Sequence, residues 1–92
     1  MIKVKKLKTT SKFDSSFRKL PLNVQQEALK KEKAFIRDIF DKSLRTHKLK
    51  GSLKDYYSFS ITYSYRILFS YEENEIITFL DIGDHSIYNQ II

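Results

Sequence analysis

Between Tyr57 and Ile82 three short apolar runs follow one another closely. Tyr57, Phe59 and Ile61 alternate with serine and threonine, and the runs Tyr65 to Tyr71 and Ile76 to Ile82 come after them. Period-two alternation and enrichment in aromatic and β-branched residues mark strands with a buried face. Polar turn material, Tyr63-Ser64 and Glu72-Glu73-Asn74, separates the runs by gaps too short for a crossover. The three are therefore expected to pair as an antiparallel meander. A sheet of this kind has an apolar face to cover, and the preceding residues supply the cover.

From Leu22 to Ser43 the apolar residues Val24, Ala28, Leu29, Phe35, Ile36, Ile39 and Phe40 recur mostly at intervals of three, four and seven, with charged residues between them. This spacing predicts one long amphipathic helix of about 30 Å. A shorter helix is expected over Ser11 to Lys19, capped from Thr9-Thr10-Ser11, with Phe13, Phe17 and Leu20 on one side. Pro21 breaks it and suits the first turn of the next helix. Ahead of both, Ile2, Val4 and Leu7 among lysines read as a first strand added at one side of the sheet. Gly83 ends the last strand, and Ser86 to Gln90 form a terminal helical turn. The expected fold is α+β: an N-terminal strand and a helical hairpin packed on an antiparallel sheet, in the order β-α-α-β-β-β. Ninety-two residues suffice for one such core, so residues 1–92 read as a single domain.

Composition then removes whole classes of chemistry. With no Cys there is no disulfide framework, thiolate zinc site or cysteine nucleophile, which fits a reducing compartment. The two histidines stand 38 positions apart and no His-x-x-x-His or Asp-x-Asp spacing occurs, so neither metal nor cofactor is expected. The N-terminal Met-Ile-Lys-Val-Lys-Lys-Leu-Lys never builds the apolar run of a signal peptide, and no stretch approaches the roughly 20 apolar residues of a membrane span. A soluble, cytoplasmic protein with no membrane partner is expected. The net charge of +6 divides into +10 over residues 1–50 and −4 over residues 51–92. A basic half favours a polyanion through counterion release, or an acidic protein through steering; the plainer alternative is a solvated basic helix face.

Four residues stand out against that background. His85 follows a strand end beside Gly83 and Asp84, where imidazole can give or take a proton near neutral pH, or can simply hydrogen-bond Asp84 at the surface. His47 opens the segment His47-Lys-Leu-Lys-Gly51 and reads either as a functional imidazole or as a C-cap of the long helix. Arg66 sits between Tyr65 and Ile67 in an apolar strand, where a guanidinium needs an anion: Asp55, Asp81 or a phosphate. Tyr88 lies three residues after His85 and can stack a base or close the core edge. Lys48, Lys50 and Lys54 around Gly51 can line a phosphate path. Tyr56, Tyr57, Tyr63 and Tyr71 are assigned mostly to packing.

The order of elements, with His47-Lys-Leu-Lys-Gly51, Tyr65-Arg-Ile-Leu-Phe69 and Asp81-Ile-Gly-Asp-His85-Ser-Ile-Tyr88, resembles the RelE/ParE superfamily of toxins from type II toxin–antitoxin pairs, closest in pattern to its YafQ-like and RelE-like branches. The likeness covers nearly the whole chain. It implies a ribosome-dependent, metal-independent endoribonuclease that cuts mRNA in the ribosomal A site by attack of a ribose 2′-hydroxyl on the adjacent phosphate, and that a cognate antitoxin neutralises by wrapping it. By the same resemblance His85 protonates the leaving 5′-oxygen, His47 assists the 2′-hydroxyl, Arg66 holds the scissile phosphate and Tyr88 stacks on a base. The match is not complete. Tyr57 and Phe59 stand where RelE carries two lysines, and Ser60 and Ser64 where YafQ-like toxins place a second histidine and an aspartate. That leaves His47, Lys50 or Lys54 to carry more of the work. Other members of the superfamily poison DNA gyrase without cutting RNA, and a binding module without activity is the remaining alternative.

Overall fold

Residues 1–90 are described in the computed structural model of the chain. Strand β1 (Lys6–Thr9) leads into helix α1 (Ser11–Arg18) and helix α2 (Leu22–Arg37), and β2 (His47–Lys48), β3 (Tyr56–Ser60), β4 (Arg66–Glu72) and β5 (Ile76–Gly83) follow. The strands form one sheet in the order β1-β5-β4-β3-β2. The meander is antiparallel as expected, but β1 runs parallel to β5, which makes the sheet mixed. The helical hairpin delivers the chain to the far edge at β2, and three reversals then bring β5 alongside β1 in the same direction. Two helices packed on a five-stranded mixed sheet give the α+β architecture.

Helix α1 starts where its sequence says it should. The Thr10 hydroxyl accepts from the Phe13 backbone N–H at 3.0 Å and donates to the Leu80 carbonyl at 2.9 Å. That carbonyl is available because the β4–β5 register shifts between Leu68 and Phe69, leaving Leu80 without a cross-strand partner. One threonine thus caps a helix and ties it to a bulge.

Helix α2 is shorter than its apolar spacing predicts, stopping at Arg37 rather than Ser43. Asp38 turns extended, and its carboxylate accepts from the N–H groups of Ile2 and Phe40. The N-terminal segment supplies the remaining partners: Val4 N–H donates to the Ile36 carbonyl and Ile39 N–H to the Ile2 carbonyl. Local carboxylate bonding competes with the helix, and a non-local segment satisfies what the helix leaves open. His47 is consequently no helix cap; it lies ten residues beyond the helix end, in β2.

The core lies between α1, α2 and one sheet face. Phe35 stacks on Phe59 at 4.5 Å between ring centroids and meets Phe69 edge-on at 5.0 Å, while Phe79 bridges Phe35 and Phe13. Tyr57, Phe59, Ile67, Phe69, Ile77 and Phe79 face the helices, so alternation sends Ser58, Arg66 and Leu68 to the opposite side. A terminal 3₁₀ turn, His85–Gln90, lies over that opposite side. It is held by buried Ile87 and by a 3.0 Å hydrogen bond between the Tyr88 hydroxyl and Ser58. Gly83 permits the close approach, since a Cβ there would lie 2.8 Å from an Ile87 methyl.

Candidate active site

Where β3 hands over to β4, the sheet end opens into a cleft of about 450 Å³. Its walls carry Lys31 from α2, Ser43 and Arg45 from the segment after α2, Ser60, Thr62 and Tyr63 from the hairpin, Arg66 from β4 and His85 from the terminal turn. One lysine, two arginines and a histidine line it, with no carboxylate among the lining residues. Such a surface selects anions, and donors of this kind suit phosphate oxygens.

Arg66 enters from the first position of β4, opposite Ser60 in the register. Its Nε is buried and has no hydrogen-bond partner among the described residues. Neither aspartate considered as its structural partner is paired with it: Asp81 is buried, accepts from the Ile82 N–H and lies 3.9 Å from Lys12. A buried donor without an acceptor costs free energy that an incoming anion can recover.

His85 opens the terminal turn that Gly83, Ile87 and Tyr88 hold against the sheet. Its neighbour Asp84 does not take it as a hydrogen-bond partner. The Asp84 carboxylate instead accepts from the Ser86 N–H at 2.9 Å. Bonds from the side chain and backbone of Ser86, followed by smaller effects that include the charge of His85, hold that carboxyl below its usual range. Tyr88 lies on the same side of the turn, its ring 6.2 Å from that of His85, as the near-eclipsed i, i+3 spacing of a 3₁₀ helix requires.

The other residues singled out in the sequence lie elsewhere. His47 and Lys48 occupy the exposed edge strand β2, and the His47 Nδ1–H donates to the Arg45 carbonyl at 2.9 Å. Neither of them lines the cleft, nor do the exposed Lys50 and Lys54. Conversely, Lys31, Arg45 and Tyr63 line the cleft without any motif in the sequence that marks them for it. Lys31 lies on the buried stripe of α2 with Val24, Ala28 and Phe35, and a lysine in that phase was the available signal. Arg45 follows a 3₁₀ turn in the left-handed region, φ 54° and ψ 40°, which its residue type does not announce. Tyr63 is no packing residue: it is 95% exposed, because it lies in the tight turn between β3 and β4.

A second concavity, about 240 Å³ between the helices, is apolar, lined by Phe13, Phe17, Leu29 and Ile67, with Glu32 and Asp14 beside them. Burial there raises the Glu32 carboxyl above its usual range. Among the described residues no helix is long and apolar enough to cross a membrane.

Comparison with known proteins agrees with this architecture. The fold is similar to the toxin–antitoxin complex RelBE2 from Mycobacterium tuberculosis, with a TM-score of 0.75, 14% identity, and 94% of this chain and 97% of that chain covered. It is similar to a YoeB/ParE toxin from Agrobacterium tumefaciens, with a TM-score of 0.72, 17% identity, and 87% and 98% covered. YafQ from Escherichia coli aligns with a TM-score of 0.65 at 13% identity, covering 89% and 94%. A search of curated protein sequences gives no significant match. The sequence profile of the ParE-like toxin domain, however, matches residues 22–90, from α2 to the terminal turn that carries His85. With three quarters of the sequence matched and the RelE-like fold in place, the chain belongs to the ParE-like toxin family of the RelE/ParE superfamily.

Proposed function

We propose that this chain is the toxin of a type II toxin–antitoxin pair and that it cuts translated mRNA on the ribosome. The observation that carries the reading is the partnerless, buried Nε of Arg66 in a cationic cleft that also holds His85. In the proposed reaction the ribose 2′-hydroxyl attacks the adjacent phosphorus, the P–O5′ bond breaks and a 2′,3′-cyclic phosphate remains. Protonated His85 gives its proton to the departing 5′-oxygen, a placed acid being worth about 10² to 10⁴ in rate. Arg66 neutralises the charge that grows on the non-bridging oxygens. Among the described residues no second histidine and no carboxylate line the cleft, and in this reading the 2′-hydroxyl proton leaves to water.

Tyr88 beside His85 and the exposed Tyr63 on the hairpin offer two faces for base stacking. Lys48, Lys50 and Lys54, outside the cleft, extend the basic surface toward ribosomal RNA. A cognate antitoxin is the expected protein partner, as in the RelBE2 complex whose toxin shares this fold. Primer extension on mRNA translated with added protein tests the reading. Stops inside codons with the wild type, and none with soluble His85→Ala, are expected; full cleavage by the variant would exclude the assigned acid.

A second reading is a gyrase poison, favoured by the ParE-like profile and by the single histidine in the cleft. It requires inhibition of supercoiling that survives His85→Ala, with intact mRNA.

A further inference from the structure

We infer that Arg45, with Lys31, forms a second phosphate subsite beside Arg66, and that His47 is the positioning residue that holds Arg45 there. The inference rests on the reading of the cleft as an RNA site. Arg45 adopts a backbone conformation, φ 54° and ψ 40°, that residues with a Cβ other than Asn and Asp seldom take. Arginine is a poor choice for stability at such a position, but from there its side chain lines the cleft.

The segment that presents it is fixed at each step. The Asp41 carboxylate accepts from the Ser43 N–H and hydroxyl, at 2.9 and 2.7 Å. The Thr46 hydroxyl donates to the Ile39 carbonyl at 2.6 Å, and Leu44 is buried in the core. His47 Nδ1–H then donates to the carbonyl of Arg45 itself at 2.9 Å. A carbonyl accepts only, so this bond sets the tautomer: the proton sits on Nδ1 in the neutral ring. His47 is paired with Ser58 in β2, and its ring reaches back toward the loop instead of lining the cleft. It acts on RNA through Arg45.

Lys31 supplies the complementary charge from α2. Its place on the buried stripe brings it to the cleft that Ser43 and Arg45 also line, whereas the lysines elsewhere on that helix do not line it. Two phosphates of one strand can thus be held at once, the scissile one at Arg66 and His85, its neighbour at Arg45 and Lys31.

A 2′-O-methyl RNA trinucleotide, whose attacking hydroxyl is blocked, is the probe, with binding followed by backbone amide shifts of Ser43, Ser60 and Thr62 at several salt concentrations. Arg45→Asn, which suits the left-handed conformation, is expected to weaken binding about tenfold or more, as loss of a charge-assisted bond implies. It should lower the salt slope by about 0.7, with an unfolding midpoint no lower than the wild type's. His47→Ala should lose as much, and adding it to Arg45→Asn should lose nothing further. His47→Asn, whose amide can still donate to the carbonyl but cannot transfer a proton, should restore wild-type binding and cleavage. Wild-type affinity in Arg45→Asn, no binding by the wild type, or His47→Asn as damaged as His47→Ala would each overturn the inference. The two readings fail separately: uncut mRNA with Arg45-dependent binding removes the cleavage and leaves the subsite, whereas full cleavage by Arg45→Asn removes the subsite and leaves the cleavage.

Discussion

Replacing Arg66 by methionine should make the protein more stable and less active at once. In the free protein the Arg66 Nε is buried without an acceptor, and an unsatisfied buried donor costs about 1–3 kcal/mol. Its neighbours add to that cost, since Lys31 and Arg45 share the cleft and no carboxylate lines it. Methionine keeps most of the aliphatic stem against the sheet and removes both the orphaned donor and the like-charge repulsion. A gain of about 1 kcal/mol corresponds to roughly 4–8 °C in a domain of this size. Activity should move the other way, because removing a donor that stabilises developing charge typically costs about 10² to 10³ in rate. Arg66→Lys should fall between the two, keeping a charge but not the planar fork. Thermal unfolding by circular dichroism and single-turnover cleavage of ribosome-bound mRNA give the two readouts. A methionine variant whose midpoint drops by several degrees would show that Arg66 answers a structural anion, and one that cuts at the wild-type rate would remove it from the reaction.

Two further perturbations test the frame that carries the site. Phe35→Ala removes the ring that contacts Phe59, Phe69 and Phe79 and should cost about 3–5 kcal/mol, a large part of the roughly 5–15 kcal/mol typical of a domain; chemical denaturation should show the midpoint falling with an unchanged slope. Glu32→Gln should raise the midpoint at neutral pH, by less than about 4 °C because the group is half-exposed and screened. Burial raises the folded value of this carboxyl, so the native state takes up a proton before the unfolded state as pH falls. Wild-type stability therefore rises through the folded value and levels off below the unfolded one, and the advantage of glutamine should fade over that window. An advantage independent of pH would contradict the assigned cause.

Much of this architecture is legible in the chain. The runs that became β3, β4 and β5 carry their own alternation, and Thr10 and Pro21 mark the boundary of each helix. What is not legible depends on distant partners. Ile39 and Phe40 continue the helical spacing of α2, and hydrogen bonds with Ile2 and Val4, together with the carboxylate of Asp38, stop it at Arg37. Two residues cannot show a period, so β2 was invisible, and the parallel sense of β1 is set by β5, some seventy positions away. The site divides in the same way. Arg66 and His85 stand out because their residue types conflict with, or punctuate, a strand. Lys31 was visible as a lysine on an apolar stripe, while Arg45 depends on a backbone angle and Tyr63 on a turn that leaves its ring in solvent.

In the proposed reaction the cleft holding Arg66 and His85 cuts RNA by internal transfer. The chemistry of the fragment ends tests it most directly, measured on mRNA translated in the presence of the wild type and of His85→Ala. The wild type should leave a 2′,3′-cyclic phosphate on the upstream fragment and a 5′-hydroxyl on the downstream one, and the variant neither; 3′-hydroxyl and 5′-phosphate ends, or intact message beside inhibited supercoiling, would rule internal transfer out.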